Sequence, residues 1–347
     1  MQILRSSTRP IRVLIAMEVF AASAAVRARR RSKGSRSTAV VLSAFTVCLA
    51  LSGCGADEGS AAAAKPVLPR PVTAQETKLL DRAEQILVRR CMRRHGFKLW
   101  ITPRIVLPHA ARFRYVVDDV SWAQKHGFGA DIDRRVAKLG RSDPNGRYFS
   151  SLSPSRRKAA LRALNGERPE GLEARLPSGM VVRRSDSSCT SHAEGALYGD
   201  LQQWYRVSKI GGSLTGVRAG RVTAHPSFIS ATRRWATCML AKGHPYSSPY
   251  EARDVASSKH QITQRGIAVA EATCARATGL SETAHRLDQM YAKEVLNEYR
   301  ADIAAARGLQ LAALLRARSI DSSATKPSRS HNDDHTTSVL TLGRQPD

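Results

Sequence analysis

The chain of 347 residues carries 55 Lys and Arg against 29 Asp and Glu, a formal net charge of +26. That balance attracts polyanions: nucleic acid, anionic lipid headgroups or the anionic polymers of a cell wall. Residues 1–53 read as an export signal, which sets nucleic acid aside, and a large excess of Arg over Lys is the mark of GC-rich coding, so part of the charge says nothing of a partner.

In chain order, a basic block of Arg27, Arg29, Arg30, Arg31, Lys33 and Arg36 precedes Ala39 to Leu51, a run of 13 residues without a charge. A positive n-region, a short apolar h-region and small residues at the cut are the layout of a secretory signal. The apolar run is shorter than the about 20 residues a membrane-spanning helix needs. It ends in Leu51-Ser52-Gly53-Cys54, which reads as a bacterial lipobox. Cys54 is then the lipidation site: its sulfur takes a diacylglyceryl group and cleavage makes it the first residue. A signal of 53 residues is long, and the expected translation start lies downstream of Met1, at Met17 or near Val26. The expectation is an exported chain, lipid-anchored to the outer face of the cytoplasmic membrane, with +18 on the 294 residues that remain.

Cys48 belongs to the signal and Cys54 to the lipid, which leaves Cys91, Cys189, Cys238 and Cys274. An even set of cysteines in an exported chain reads as a disulfide framework, here with three connectivities. No pair has zinc-site spacing and no His stands at ligand spacing from any of them, so no metal and no cofactor is expected.

Gly55 to Gln75, rich in Ala and Pro, reads as a flexible tether over 54–75. Thr73 with Glu76 forms a capping box for a helix carrying Leu80, Ala83, Leu87 and Cys91, stopped at Gly96. Leu99 to Val117 reads as short strands or extended loops, and Asp118–Gly129 and Asp143–Tyr148 as loops around short helical turns. Ser153-Pro154 starts a helix that ends at Asn165-Gly166, Leu172 to Arg184 makes a hairpin about Pro177-Ser178-Gly179, and a helix runs from Ser188 to Val207. The Gly-rich stretch Gly211 to Gly220 reads as a break between a first helical unit (76–210) and a second (211–319). Pro226 and Pro249 head helices, Gln261 to Ala277 forms another, and Ser281 caps a long final helix to about Arg318, leaving 320–347 as a disordered tail. The fold class is mostly α with minor β: a helical ectodomain with one or two short hairpins, stapled by two disulfides.

Cys91-Met92-x3-Gly96 and Cys238-Met239-x3-Gly243 share one frame, and each is followed by a single helical cysteine. Read as a diverged repeat, this makes Cys91 with Cys189 and Cys238 with Cys274 the economical pairing. With Leu197-Tyr198-Gly199-Asp200, Trp235-x2-Cys238 and Gly279-Leu280, behind the lipobox, the chain resembles a group of uncharacterised secreted lipoproteins of high-GC Gram-positive bacteria over residues 80 to 280. The resemblance implies a lipid-anchored, helical, disulfide-bonded ectodomain and carries no activity.

Catalytic patterns fare poorly. Ser155-x-x-Lys158 matches a penicillin-binding nucleophile motif but lacks its downstream partners. Asp118, Asp119, Asp131 and Asp133 with His126 make the densest acid cluster and define an alternative, a cell-wall polymer hydrolase. Loop aspartates that balance Arg112, Arg114, Arg134 and Arg135 are the commoner use of such residues. His331-x-Asp333-Asp334-His335 lies in the expected tail. Trp122 and Tyr115 are the aromatics kept as surface contacts. No residue is assigned a catalytic role. The leading expectation is a non-enzymatic envelope protein, held to the membrane by lipid on Cys54, whose ectodomain binds an anionic envelope polymer or another envelope protein and not nucleic acid.

Overall fold

The computed structural model describes residues 68–104 and 111–325, so the signal, the lipobox with Cys54, most of the tether and the chain beyond Thr325 lie outside the described residues. Twelve helices and one hairpin make up the described part: α1 (Ala74–Arg94), α2 (Val120–His126), α3 (Ala130–Arg141), α4 (Pro144–Ser151), α5 (Pro154–Asn165), β1 (Gly171–Arg175), β2 (Val181–Ser185), α6 (Cys189–Tyr198), α7 (Leu201–Ala224), α8 (Pro226–Ala241), α9 (Pro249–Ser257), α10 (Gln261–Ala277), α11 (Leu280–Glu298) and α12 (Arg300–Thr325). None of the described helices is long and apolar enough to cross a membrane.

Local chemistry explains most of these boundaries. Thr73 and Glu76 form the expected capping box at α1, each side chain accepting from the other's backbone. Ser153 and Ser188 cap α5 and α6, and Pro154, Pro226 and Pro249 occupy the first turn of their helices, where a missing N–H costs nothing. The hairpin is antiparallel, with Gly171 opposite Ser185 and Arg175 opposite Val181. Its base is pinned by Gly166, at φ +85°, where an added Cβ would sit 2.1 Å from the Cβ of Ser185.

Several expectations are corrected. Gly211–Gly220 is no break: α7 runs through it as one helix of 24 residues. Trp204, Tyr205, Val207, Ile210 and Val222 bury one face of α7, while Gly211, Gly212, Gly216 and Gly220 lie on its exposed side. Each such glycine costs up to about 1 kcal/mol against Ala, and packing of the other face offsets it. The helix expected from Ser188 to Val207 is interrupted at Gly199, after which Asp200 caps α7 afresh. Asp119 and Asp143, read as loop residues, are N-caps of α2 and α4. The final helix starts at Leu280 rather than after Ser281, divides at Tyr299, and continues to Thr325, inside the stretch expected to be disordered.

Packing places the two disulfides at the centre of two cores. Cys91 and Cys189 join α1 to α6 with Cα atoms 5.5 Å apart, among Val88, Met92, Phe97 and Ala193. Cys238 and Cys274 join α8 to α10 at 5.7 Å, beside a core of Trp235, Met239, Ile267, Leu280 and Leu287. Both spacings suit an unforced bond. Trp235 is fully buried and donates Nε1–H to the carbonyl of Glu271, and truncating so large a core residue typically costs about 3–5 kcal/mol. The last helix closes the molecule on the first: α12 contributes Ala313, Leu314 and Ala317 to a core with Leu80, Ala83, Leu197 and Trp204.

Candidate functional site

The acids singled out by sequence are drawn into local structure. Asp118 Oδ2 accepts from Ser281 Oγ at 2.5 Å and lies 2.9 Å from His285 Nε2, both on α11. Asp119 spends one oxygen on the N–H of Trp122 and the other on Arg112 at 2.6 Å, and these contacts hold its carboxyl below the usual range. Asp131 Oδ2 lies 2.9 Å from His126 Nδ1 and 3.5 Å from Arg135. Burial pushes the Asp131 carboxyl up, but the bond to His126 and its charge outweigh that and leave it lowered. Asp118 thus ties the chain to α11, Asp119 starts a helix, and Asp131 orients a histidine. Three separate tasks engage acids that the hydrolase reading would gather round one cleft.

The aromatics kept as surface contacts are packed instead. Trp122 lies against Phe113 and His126, with ring centres 4.6 and 5.3 Å away. The Tyr115 hydroxyl donates to Asp288 at 2.5 Å, and burial first, then that bond, raises its pKa. Ser155 and Lys158 sit exposed on the first two turns of α5, where Ser153 acts as the cap. Contrary to the sequence reading, a histidine does stand at ligand spacing from a cysteine: His95 follows Cys91 by one helical turn, and Cys91, His95 and Cys189 form the one grouping of metal-ligand atoms among the described residues, but both sulfurs are spent in the disulfide.

A second constellation, which sequence reasoning missed, lies on α1, α6 and β2. The Cys91–Cys189 bond joins the end of α1 to the start of α6, and the cores beside it fix an antiparallel register. Val88 and Cys91 share one core with Cys189 and Ala193, while Leu80 and Ala83 share the next with Leu197 and Tyr198. That register carries Glu84 of α1 to the level of Glu194 on α6, with Asp81 and Tyr198 a turn further on. Arg184 of β2 grips Glu194 with both terminal nitrogens, Nη1 to Oε1 at 2.9 Å and Nη2 to Oε2, and lays its guanidinium 4.9 Å from the Tyr205 ring centre. Such a bidentate pair fixes the position of both partners. Arg104 stands 3.6 Å from Asp81.

Glu84 has no hydrogen bond or ion pair among the described residues. It keeps a narrow exposure to solvent, yet burial pushes its carboxyl up to about 8, with Glu194 and Asp81 adding repulsion that Arg184 and Arg104 only partly relieve. Tyr198 is 5% exposed, its ring stacked on Trp204 with centres 3.6 Å apart, and its hydroxyl makes no hydrogen bond among the described residues. Burial and then the charges of Glu84, Glu194 and Asp81 raise its pKa, which puts the phenol in the field of the same acids. Nothing in the sequence flags this group. Glu84 and Glu194 are 110 positions apart, and each reads alone as a polar residue on a helix.

Comparison with family models, curated proteins and solved structures finds no match, so the function is argued from these residues alone.

Proposed function

We infer that the chain is a lipid-anchored protein of the cell envelope whose helical ectodomain binds another envelope component without catalysing a reaction. The observation that carries this reading is the pair of disulfides, Cys91–Cys189 and Cys238–Cys274, which belong to an oxidising compartment. They support export, and export gives the lipobox ending at Cys54 its meaning. The positive charge favours an anionic polymer as the component bound. The separate engagement of Asp118, Asp119 and Asp131 supports a binder over a wall-polymer hydrolase, whose two carboxyl groups must flank one bond about 5–9.5 Å apart.

Cys54→Ala is the direct test. Cells fed a labelled fatty acid should incorporate it into the wild-type protein and not into the variant, which should accumulate uncut or leave the membrane fraction. Label on the variant, or a cytosolic wild-type protein, overturns the reading.

A further inference from the structure

We propose that the surface formed by the last turn of α1, the segment that follows it and the start of α5 docks a phosphodiester polymer of the cell envelope. Two stretches of the chain, 85–117 and 144–166, contain no acid and carry eight and five Lys or Arg. The fold packs them together. Val88, Met92 and Phe97 share a core with Ala160, and Phe149 and Leu152 pack against it. Arg156 Nη2 donates to the carbonyl of Gly96 at 3.0 Å, and its guanidinium lies 4.5 Å from the Phe97 ring centre. Asn145 brackets Trp100, accepting from its N–H at 2.7 Å and donating to its carbonyl at 2.9 Å. With the apolar faces turned inward, the cations stand outside. Arg93, Arg94, Lys98, Arg147, Arg156 and Lys158 are exposed, and none makes an ion pair among the described residues.

GC-rich coding does not explain this surface. It would scatter arginines without regard to acids, and it accounts for isolated exposed cations such as Arg233 and Arg286. In much of the rest of the molecule a carboxylate answers the arginine: Asp321 answers Arg82, Asp302 answers Arg206 and Glu298 answers Arg221. Here the acids are withheld. Asp143 is 6% exposed and spent as the cap of α4, and Glu167, beyond the far end of α5, pairs with Arg162. Like charges gathered without relief repel one another, and a polyanion removes that repulsion.

Position and chemistry select the polymer. The tether enters at the start of α1, whose 21 residues carry the chain about 30 Å before it reaches Arg93 and Arg94. The cationic end is therefore remote from the end that bears the anchor. A surface that lies on a bilayer sets apolar side chains between its cations. Among the described residues of the two stretches, the one large apolar side chain exposed is Trp100. Its backbone is tied to Asn145 and its ring packs on Tyr148 with centres 5.6 Å apart, so it is held in place rather than free to insert. The chain's own ends offer no complement, since 54–75 carries two acids and two bases and 326–347 three of each. Four of the six free cations are arginines, whose planar fork meets two oxygens of one phosphate at once.

This proposal rests on the reading of an envelope binder and gives it a surface. Lipid labelling of Cys54 reads the anchor and the experiment below reads the surface, so either can fail alone.

The test uses the full-length protein as purified from cells, immobilised through a C-terminal tag, with synthetic poly(glycerol phosphate) as the probe. Wild type should bind it at about 50 mM salt, and affinity should fall about 50-fold by about 200 mM if about four phosphates are neutralised. Combining Arg93→Gln, Arg94→Gln, Lys98→Gln and Lys158→Gln should weaken binding about tenfold or more. Removing four exposed charges around the second disulfide core, with Arg233→Gln, Lys242→Gln, Arg276→Gln and Arg286→Gln, should change it less than about twofold. Arg94→Gln and Lys158→Gln singly should each cost about two- to threefold, and an unchanged circular dichroism spectrum shows that the variants keep the fold. Vesicles of phosphatidylcholine with and without about 30% phosphatidylglycerol form the membrane arm, in which any anchor contributes equally and cancels. No binding by wild type, or an equal loss in the two fourfold variants, overturns the proposal. So does tighter binding, at matched charge, to polyglutamate, to single-stranded DNA or to the phosphatidylglycerol vesicles.

Discussion

Glu84 and Glu271 are both carboxyls set into helix packing close to a disulfide, seven residues before Cys91 and three before Cys274, yet the molecule treats them differently. Glu271 on α10 is fully buried, and its Oε1 accepts from the N–H of Val117 at 2.7 Å and from Arg253 Nη2 at 3.2 Å. Arg253 also donates to the carbonyl of Phe113 at 2.8 Å, so acid and base together clamp the segment 113–117 onto α9 and α10. Burial pushes the Glu271 carboxyl up to about 7, and Arg253 and Val117 pull against it. Glu84 has no such donors, keeps access to solvent, and stands higher, at about 8. The donors to Glu271 reach only Oε1: Glu271 Oε2 is buried with no hydrogen-bond partner among the described residues, as is Arg253 Nε. Glu84 has solvent access where Glu271 has the counter-charge of Arg253.

Three perturbations sharpen that contrast. The largest effect should come from the disulfides. Replacing Cys91 and Cys189 by Ser should lower unfolding free energy by up to about 4–5 kcal/mol, and replacing Cys238 and Cys274 by slightly less, since the loop closed is shorter. Urea unfolding measures both, and a loss below about 1 kcal/mol for either pair would show that its helices are held by packing alone.

Next comes Arg253→Ala, which leaves Glu271 buried without its counter-charge. The expected cost is about 3 kcal/mol at about pH 8, shrinking at about pH 6 as the acid takes up a proton. A cost that does not change with pH would mean that Arg253 acts only through its bond to the Phe113 carbonyl.

The smallest is the pH profile of Glu84→Gln. A carboxyl raised in the folded state holds its proton where the unfolded chain has lost it. Its effect on stability is therefore a decline as pH rises from the ordinary 4.5 to about 8. Glu271 adds a similar decline between 4.5 and about 7. Glu84→Gln should flatten the upper part of the profile and leave the variant more stable than wild type at about pH 8. A profile parallel to wild type would place the Glu84 carboxyl at its ordinary value.

Much of this fold was legible because caps and prolines act locally. Thr73 with Glu76, Ser153 before Pro154, and the prolines at 226 and 249 each state a helix start within four residues. The repeated Cys-Met-x3-Gly frame was enough to reach the observed cysteine pairs. The stripe Leu80, Ala83 and Cys91 faces the core as its spacing predicts, and what failed were readings that took an exposed helix face or a helix start for a loop. The glycines of α7 look like a linker until Trp204, Ile210 and Val222 are seen to bury the opposite face. Asp119 and Asp143 look like loop acids until the helices they cap are in view. The group around Glu84 is the extreme case, since only the packing of α1 against α6 and β2 brings its members together.

The pairing of α12 with α1 sets an order on how the molecule is made. Arg307 reaches the carbonyl of Pro69 at 3.0 Å, Arg82 reaches Asp321 at 2.5 Å and Arg90 reaches Ser323 at 2.8 Å, each across more than 230 residues. The first of the described helices therefore has its longest neighbour made last among them, and contacts of such range form slowly. Until then the apolar stripe of Leu80, Ala83 and Leu87 is covered only from the side of Leu197, Tyr198 and Trp204, and one flank of that core stays open.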